Sequence, residues 1–192
     1  MADISLNPVT PVARGILVGD ANPLPVQVVG GSVSRILTPT IVAGSGAKIT
    51  GDTNEHIAAY INVLGGLMGA KGVINFAPLI DNTSVGGGNV LAYLRIIAGT
   101  SAGTLAGSTL INGVTMGAVT SRYRSLWAVY NTAENAQASF PGATGSGSTS
   151  GAITTAAIDT ASAFTISINL KLSNGTDSTW MAALDATLNP RT

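Results

Sequence analysis

Hydrophobic and polar residues alternate along much of this chain, most regularly between Phe164 and Leu188. Phe164, Ile166, Ile168, Leu170 and Leu172 alternate with Thr165, Ser167, Asn169 and Lys171, and after a polar break Trp180, Ala182, Leu184, Ala186 and Leu188 alternate again. A period of two places every second side chain on one face of a strand. Asn174-Gly175 between the runs is a strong tight-turn signal, so the pattern predicts a β-hairpin with one buried face. Shorter segments repeat the theme upstream. "EHIAAYINV" places Ile57, Ala59, Ile61 and Val63 together, "GVINFAPLI" groups Ile74, Phe76 and Ile80, and "NVLAYLRII" sets Val90, Leu94 and Ile96 against Leu91, Tyr93, Arg95 and Ile97. "RYRSLWAVYN" and "AITTAAIDT" complete the set, with clusters of Gly, Ser, Asn and Thr between segments. No stretch has the period of an amphipathic helix. About eight short strands with turn signals between them predict an all-β fold, an antiparallel β-sandwich or jelly roll, over residues 36–192.

Residues 1–35 read differently. Five of the eight prolines, Pro8, Pro11, Pro23, Pro25 and Pro39, fall in the first 39 residues. Proline lacks the N–H that a central strand needs and biases its predecessor towards extended backbone. The pattern predicts an extended Pro-rich N-terminal arm for attachment. Its apolar side chains, Ile4, Leu6, Ile16, Leu17, Val18, Leu24, Val26 and Val28, are the candidate attachment residues. "MADISLNPVT" has an acid at position 3 and no basic or apolar core of a signal peptide.

Composition narrows the function classes. The 192 residues carry nine basic and nine acidic side chains, no net charge, 24 glycines and a mean hydropathy of +0.40. Only 9% of residues are charged, against roughly 25% in an average globular chain. So little polar matter suits a homo-oligomer better than a lone globule. Balanced charge offers no basic patch for nucleic acid. The apolar stretch 57–80 is interrupted by Asn62, Gly65, Gly66, Lys71, Gly72, Asn75 and Pro78, which argues for strands and against a membrane span.

Candidate chemistry is sparse. Without cysteine there is no thiol catalysis or Cys-based metal site, and no ligand spacing typical of a metal or cofactor occurs. His56 is the single histidine. A serine and an acid could be imagined beside it, yet no nucleophile elbow is present. The acids Asp3, Asp20, Asp52, Glu55, Asp81, Glu134, Asp159, Asp177 and Asp185 are scattered, and Asp159 and Asp177 have ready roles in turns. "GSGAK" at 44–48 and "GAKG" at 69–72 do not fit the phosphate-loop pattern. Arg122–Tyr123–Arg124 near Trp127 and Tyr130 reads as a cross-strand pairing segment. No enzyme activity is predicted.

Four segments taken in order carry a family likeness: "GLMGAKGVINF" at 66–76, "NVLAYLRIIAGT" at 89–100, "YNTAENAQASFPG" at 130–142, and "IDTASAFTISINLKLSNGTDSTWMAALDATL" at 158–188. Together they resemble small jelly-roll domains of tailed-bacteriophage virion proteins, which occur as head decoration proteins, head fibres and tail or baseplate fibre modules. The longer Gly/Ser loop at 142–151 and the apolar segment at 101–119 depart from that pattern. The resemblance implies a non-catalytic structural protein of the virion, assembled in the bacterial host cytoplasm and often trimeric. It implies a capsid decoration or head-fibre role, with residues 1–35 attached to the major capsid protein or to neck or tail proteins. The alternative is a tail or baseplate fibre module that binds a host surface glycan through Tyr123, Trp127 and Trp180. On either reading the closing hairpin would cover an open sheet edge.

Overall fold

The computed structural model describes residues 34–101, 105–117, 120–140 and 154–191. They form strands and turns without a helix. In chain order the strands are β1 (Arg35–Leu37), β2 (Thr40–Ile41), β3 (Ile49–Thr50), β4 (Glu55–Val63), β5 (Val73–Thr83) and β6 (Val90–Ala98). There follow β7 (Thr109–Met116), β8 (Ser121–Arg124), β9 (Trp127–Ala133), β10 (Ala136–Phe140), β11 (Thr154–Ala156), β12 (Phe164–Leu172) and β13 (Ser178–Asn189).

Two antiparallel sheets pack face to face. The eight-stranded sheet has the order β1-β13-β5-β9-β10-β11, with β3 also on β13 and β8 also on β5. The five-stranded sheet has the order β2-β4-β12-β6-β7. Four of the pairings nest: β6 with β7, β5 with β9, β4 with β12 and β1 with β13. This is one long hairpin rolled into a barrel-like sandwich, the double Greek key of a jelly roll. The all-β prediction therefore holds.

The predicted closing hairpin does not form. Its two strands enter different sheets: β12 pairs with β4 and β6, and β13 with β1 and β5. The segment 173–177 is an arch between sheets, and both strands are central and do not cover an edge. Each has one apolar face, so alternation alone cannot tell an arch from a hairpin. The phase of β13 is also corrected. Register skips Ala182, between Met181↔Ile80 and Ala183↔Leu79. This bulge puts Thr179 and Met181 inward ahead of it and Leu184, Ala186 and Leu188 inward after it, with Trp180 turned out. A similar skip at Ala58 turns Ile57 away from the core that Ala59, Ile61 and Val63 enter.

Ile74, Phe76 and Ile80 from β5 meet Phe164, Ile166, Ile168 and Leu170 from β12 and Leu94 and Ile96 from β6 in the core between the sheets. Pro78 lies within central β5, where a missing N–H would break a ladder. It sits where the neighbour changes, β9 pairing with residues 73–76 and β8 with residues 79–82. Ser125 N–H reaches across that gap, donating to Pro78 O.

Candidate functional site

At one end of the sandwich, Asp177 organises three loops. The side chain is buried. Its Oδ1 accepts the backbone N–H groups of Val85 and Gly86 at 2.7 and 2.8 Å, and Oδ2 that of Gly88 at 2.9 Å. Asn174 Nδ2 donates to Gly86 O, while its Oδ1 accepts from Thr176 N–H and Oγ1–H. Gly51 N–H donates to Asp177 O. The fit leaves no room at Gly88, where a Cβ would lie 2.3 Å from Asn174 Cβ and 2.6 Å from Asp177 Oδ2. Backbone donors, Gly86 first and then Val85 and Gly88, hold the carboxyl below the usual aspartate range against the opposing effect of burial.

At the opposite end, buried amides link β9, β10 and the segment leading into β12. Gln137 Nε2 donates to Ile158 O at 2.8 Å and to Asn131 Oδ1 at 3.2 Å, and its Oε1 accepts Ile158 N–H at 2.8 Å. Asn131 Nδ2 donates to Gly69 O at 2.7 Å and to Thr160 Oγ1 at 2.6 Å. Thr160 in turn donates to Glu134 O at 2.8 Å. Gly69 has φ +69°, and a Cβ there would lie 2.3 Å from Arg191 O, so the loop requires glycine twice over. An open depression beside this network is lined by Ala70, Thr132, Ala133, Glu134, Asn135 and Asp159. Asp159 is already engaged, accepting from Ala161 N–H and Ser162 Oγ–H.

The remaining candidates are dispersed. His56 Nε2 donates to Asp52 Oδ2 at 2.8 Å, and among the described residues no serine hydroxyl bonds to it. Asp52 also accepts Asn54 N–H, the main reason its carboxyl sits below its ordinary value. Glu55 and Arg95 pair through Nε···Oε1 at 2.6 Å and Nη2···Oε2 at 2.8 Å, reaching over β12, where Asn169 Nδ2 donates to Oε1. Burial raises the Glu55 carboxyl, but the Arg95 and Asn169 bonds outweigh it and hold it low. Arg122 forms the same two-pronged pair with Asp81 across β8 and β5, as its cross-strand reading predicts.

The three aromatic candidates do not form one platform. Trp127 is 2% exposed and faces the core. Tyr123 packs partly against the core and donates to Gly117 O at 3.0 Å. Trp180 is half-buried on the outer face, with Lys48 Nζ 4.0 Å from its ring centroid. The attachment residues Ile4, Leu6, Ile16, Leu17, Val18, Leu24, Val26 and Val28 lie outside the described residues. Among the described residues no group of three or more His, Asp or Glu side chains is placed to hold a metal ion.

Asn131, Gln137 and Thr160 were not singled out by sequence reasoning. The signal available was phase: Trp127, Val129 and Asn131 share one face of β9, and an amide in an apolar phase marks a buried polar network. Comparison with family models, curated proteins and solved structures returns no match for this chain.

Proposed function

We propose that the protein is a structural component of a tailed-phage virion, a capsid decoration or head-fibre protein attached through residues 1–35. What supports this is how its ionisable groups are used. Asp52, Glu55, Asp81, Arg95, Arg122 and Asp177 are displaced from their ordinary titration ranges. Each is bonded to a strand partner or to loop backbone. Catalytic sites displace such groups to leave them reactive towards a substrate. Here the same interactions fasten strands and loops, which suits a rigid body whose work is mechanical. The sparse charge and broad sheet faces are consistent with packing against other virion subunits.

Immunogold electron microscopy of particles from the host that carries this gene tests the proposal. Label distributed over heads is expected, and binding to bare shells should be lost on deleting residues 1–30. Label confined to the neck or tail tip would move the protein to a fibre, and unlabelled particles would overturn the virion reading.

A further inference from the structure

The outer face of the eight-stranded sheet carries short side chains at its centre. Ala77 and Leu79 on β5 are flanked by Ala182 and Ala183 on β13 and by Ala128 on β9. Leu126, between β8 and β9, is 69% exposed, and Ile36 on β1 is 87% exposed. Arg122 and Asp81 on this face neutralise each other. Lys48 on this face lies over the Trp180 ring, and two opposite charges nearer its centre have no ion-pair partner among the described residues: Arg124, directly across from Leu79, and Asp185, directly across from Ala77. They lie on strands either side of β5, about 10 Å apart laterally at the usual strand spacing.

We propose that this face binds a second copy of the chain about a two-fold axis. An axis lying in the plane of the face, crossing above Pro78 at right angles to the line from Arg124 to Asp185, sets Arg124 of each copy against Asp185 of the other. Both charges are then satisfied, while Ala77, Leu79 and Leu126 are buried beneath them. An isologous contact forms each pairing twice. Four strands by eight residues give roughly 500 Å² in plan. Side-chain relief brings this towards the ~800 Å² per partner of a standard interface. Short side chains let the two sheets approach to the ~10 Å of ordinary sheet packing. Such pairing differs from the three-fold assembly that the family likeness implies, and it is independent of where on a virion the protein acts.

Sedimentation velocity on the full chain over a wide concentration range is the test. A dimer is expected. D185R and R124D should each weaken it by roughly ten-fold or more, because each puts like charges together twice. The double variant D185R/R124D should recover most of the loss, and Leu126→Asp should weaken the dimer without rescue. Thermal melts of dilute samples verify that each variant is folded. A monomer at every concentration, a trimer unmoved by either reversal, or a double variant no better than the singles would overturn the proposal. Gold labelling of particles reads the virion role separately.

Discussion

Gln137→Ala removes the amide that joins β10 to Ile158. Gln137 is 1% exposed and makes two 2.8 Å bonds to the Ile158 backbone, one in each direction, with a third to Asn131 Oδ1 at 3.2 Å. Truncation leaves the Ile158 N–H, the Ile158 carbonyl and the Asn131 oxygen without that partner. A buried polar group left unpaired costs about 1–3 kcal/mol. If water recovers one of the three, the loss is about 3 kcal/mol. For a body of this size each kcal/mol moves the midpoint by about 2–4 °C, so melting should fall by about 6–12 °C. Circular dichroism measures the shift, and hydrogen exchange should show the Ile158 amide losing protection. Exposed Asn135→Ala is the control and should change stability by no more than about 0.5 kcal/mol. Gln137→Glu adds a sign. The new carboxyl must keep its proton to donate to Ile158 O, so its folded pKa lies above the unfolded value. Its stability should be present at low pH and be lost as pH rises through the folded pKa. A Gln137→Ala variant melting within about 2 °C of the parent would refute the reasoning, since even one unpaired group predicts more.

Asp177 and Asp81 both titrate below their ordinary values when folded. Their contribution is therefore present at neutral pH and lost as pH falls through those depressed values. Urea midpoints between neutral and acid pH should fall, and Asp177→Asn should start lower and lose less over the same interval. Gly88→Ala forces contact with Asn174 and should lower the melting temperature by several degrees, whereas Gly46→Ala, with no atom within 4 Å of the new Cβ, should leave it unchanged. Iodide should quench the emission of Trp180 and spare Trp127, so Trp180→Phe should leave fluorescence almost insensitive to iodide.

Strand identity was legible because most strands carry one apolar face. The segments that grouped Ile74 with Phe76 and Ile80, and Val90 with Leu94 and Ile96, are core strands in the structure. Two kinds of information were not local. Whether Ser173–Asp177 closes a hairpin or an arch depends on β4 and β6 being available to β12, residues far away in sequence. Bulges at Ala58 and Ala182 insert one residue and reverse the alternation, with no Gly or Pro to announce them. The clamp at Asp177 was legible as a turn residue, yet its partners Val85, Gly86 and Gly88 are fixed by the arch that local pattern missed. The amide network was visible only as polar residues in apolar phase.

The central placement of β12 and β13 has a consequence for how the chain reaches this state. Arg35 must wait for Leu188 before β1 has a neighbour, and the edge of β5 away from β8 and β9 must wait for the same strand. On the ribosome, where chains grow at about 5–20 residues per second, β4, β5 and β6 emerge with unpaired edges long before the strands that fill the middle of each sheet. Those edges are open to mispairing in the interval. Loss of β13 would remove the shared neighbour of β1, β3 and β5. Completion of the body thus waits on Ser178–Asn189, and a nascent chain stalled ahead of Ser178 should remain sensitive to protease.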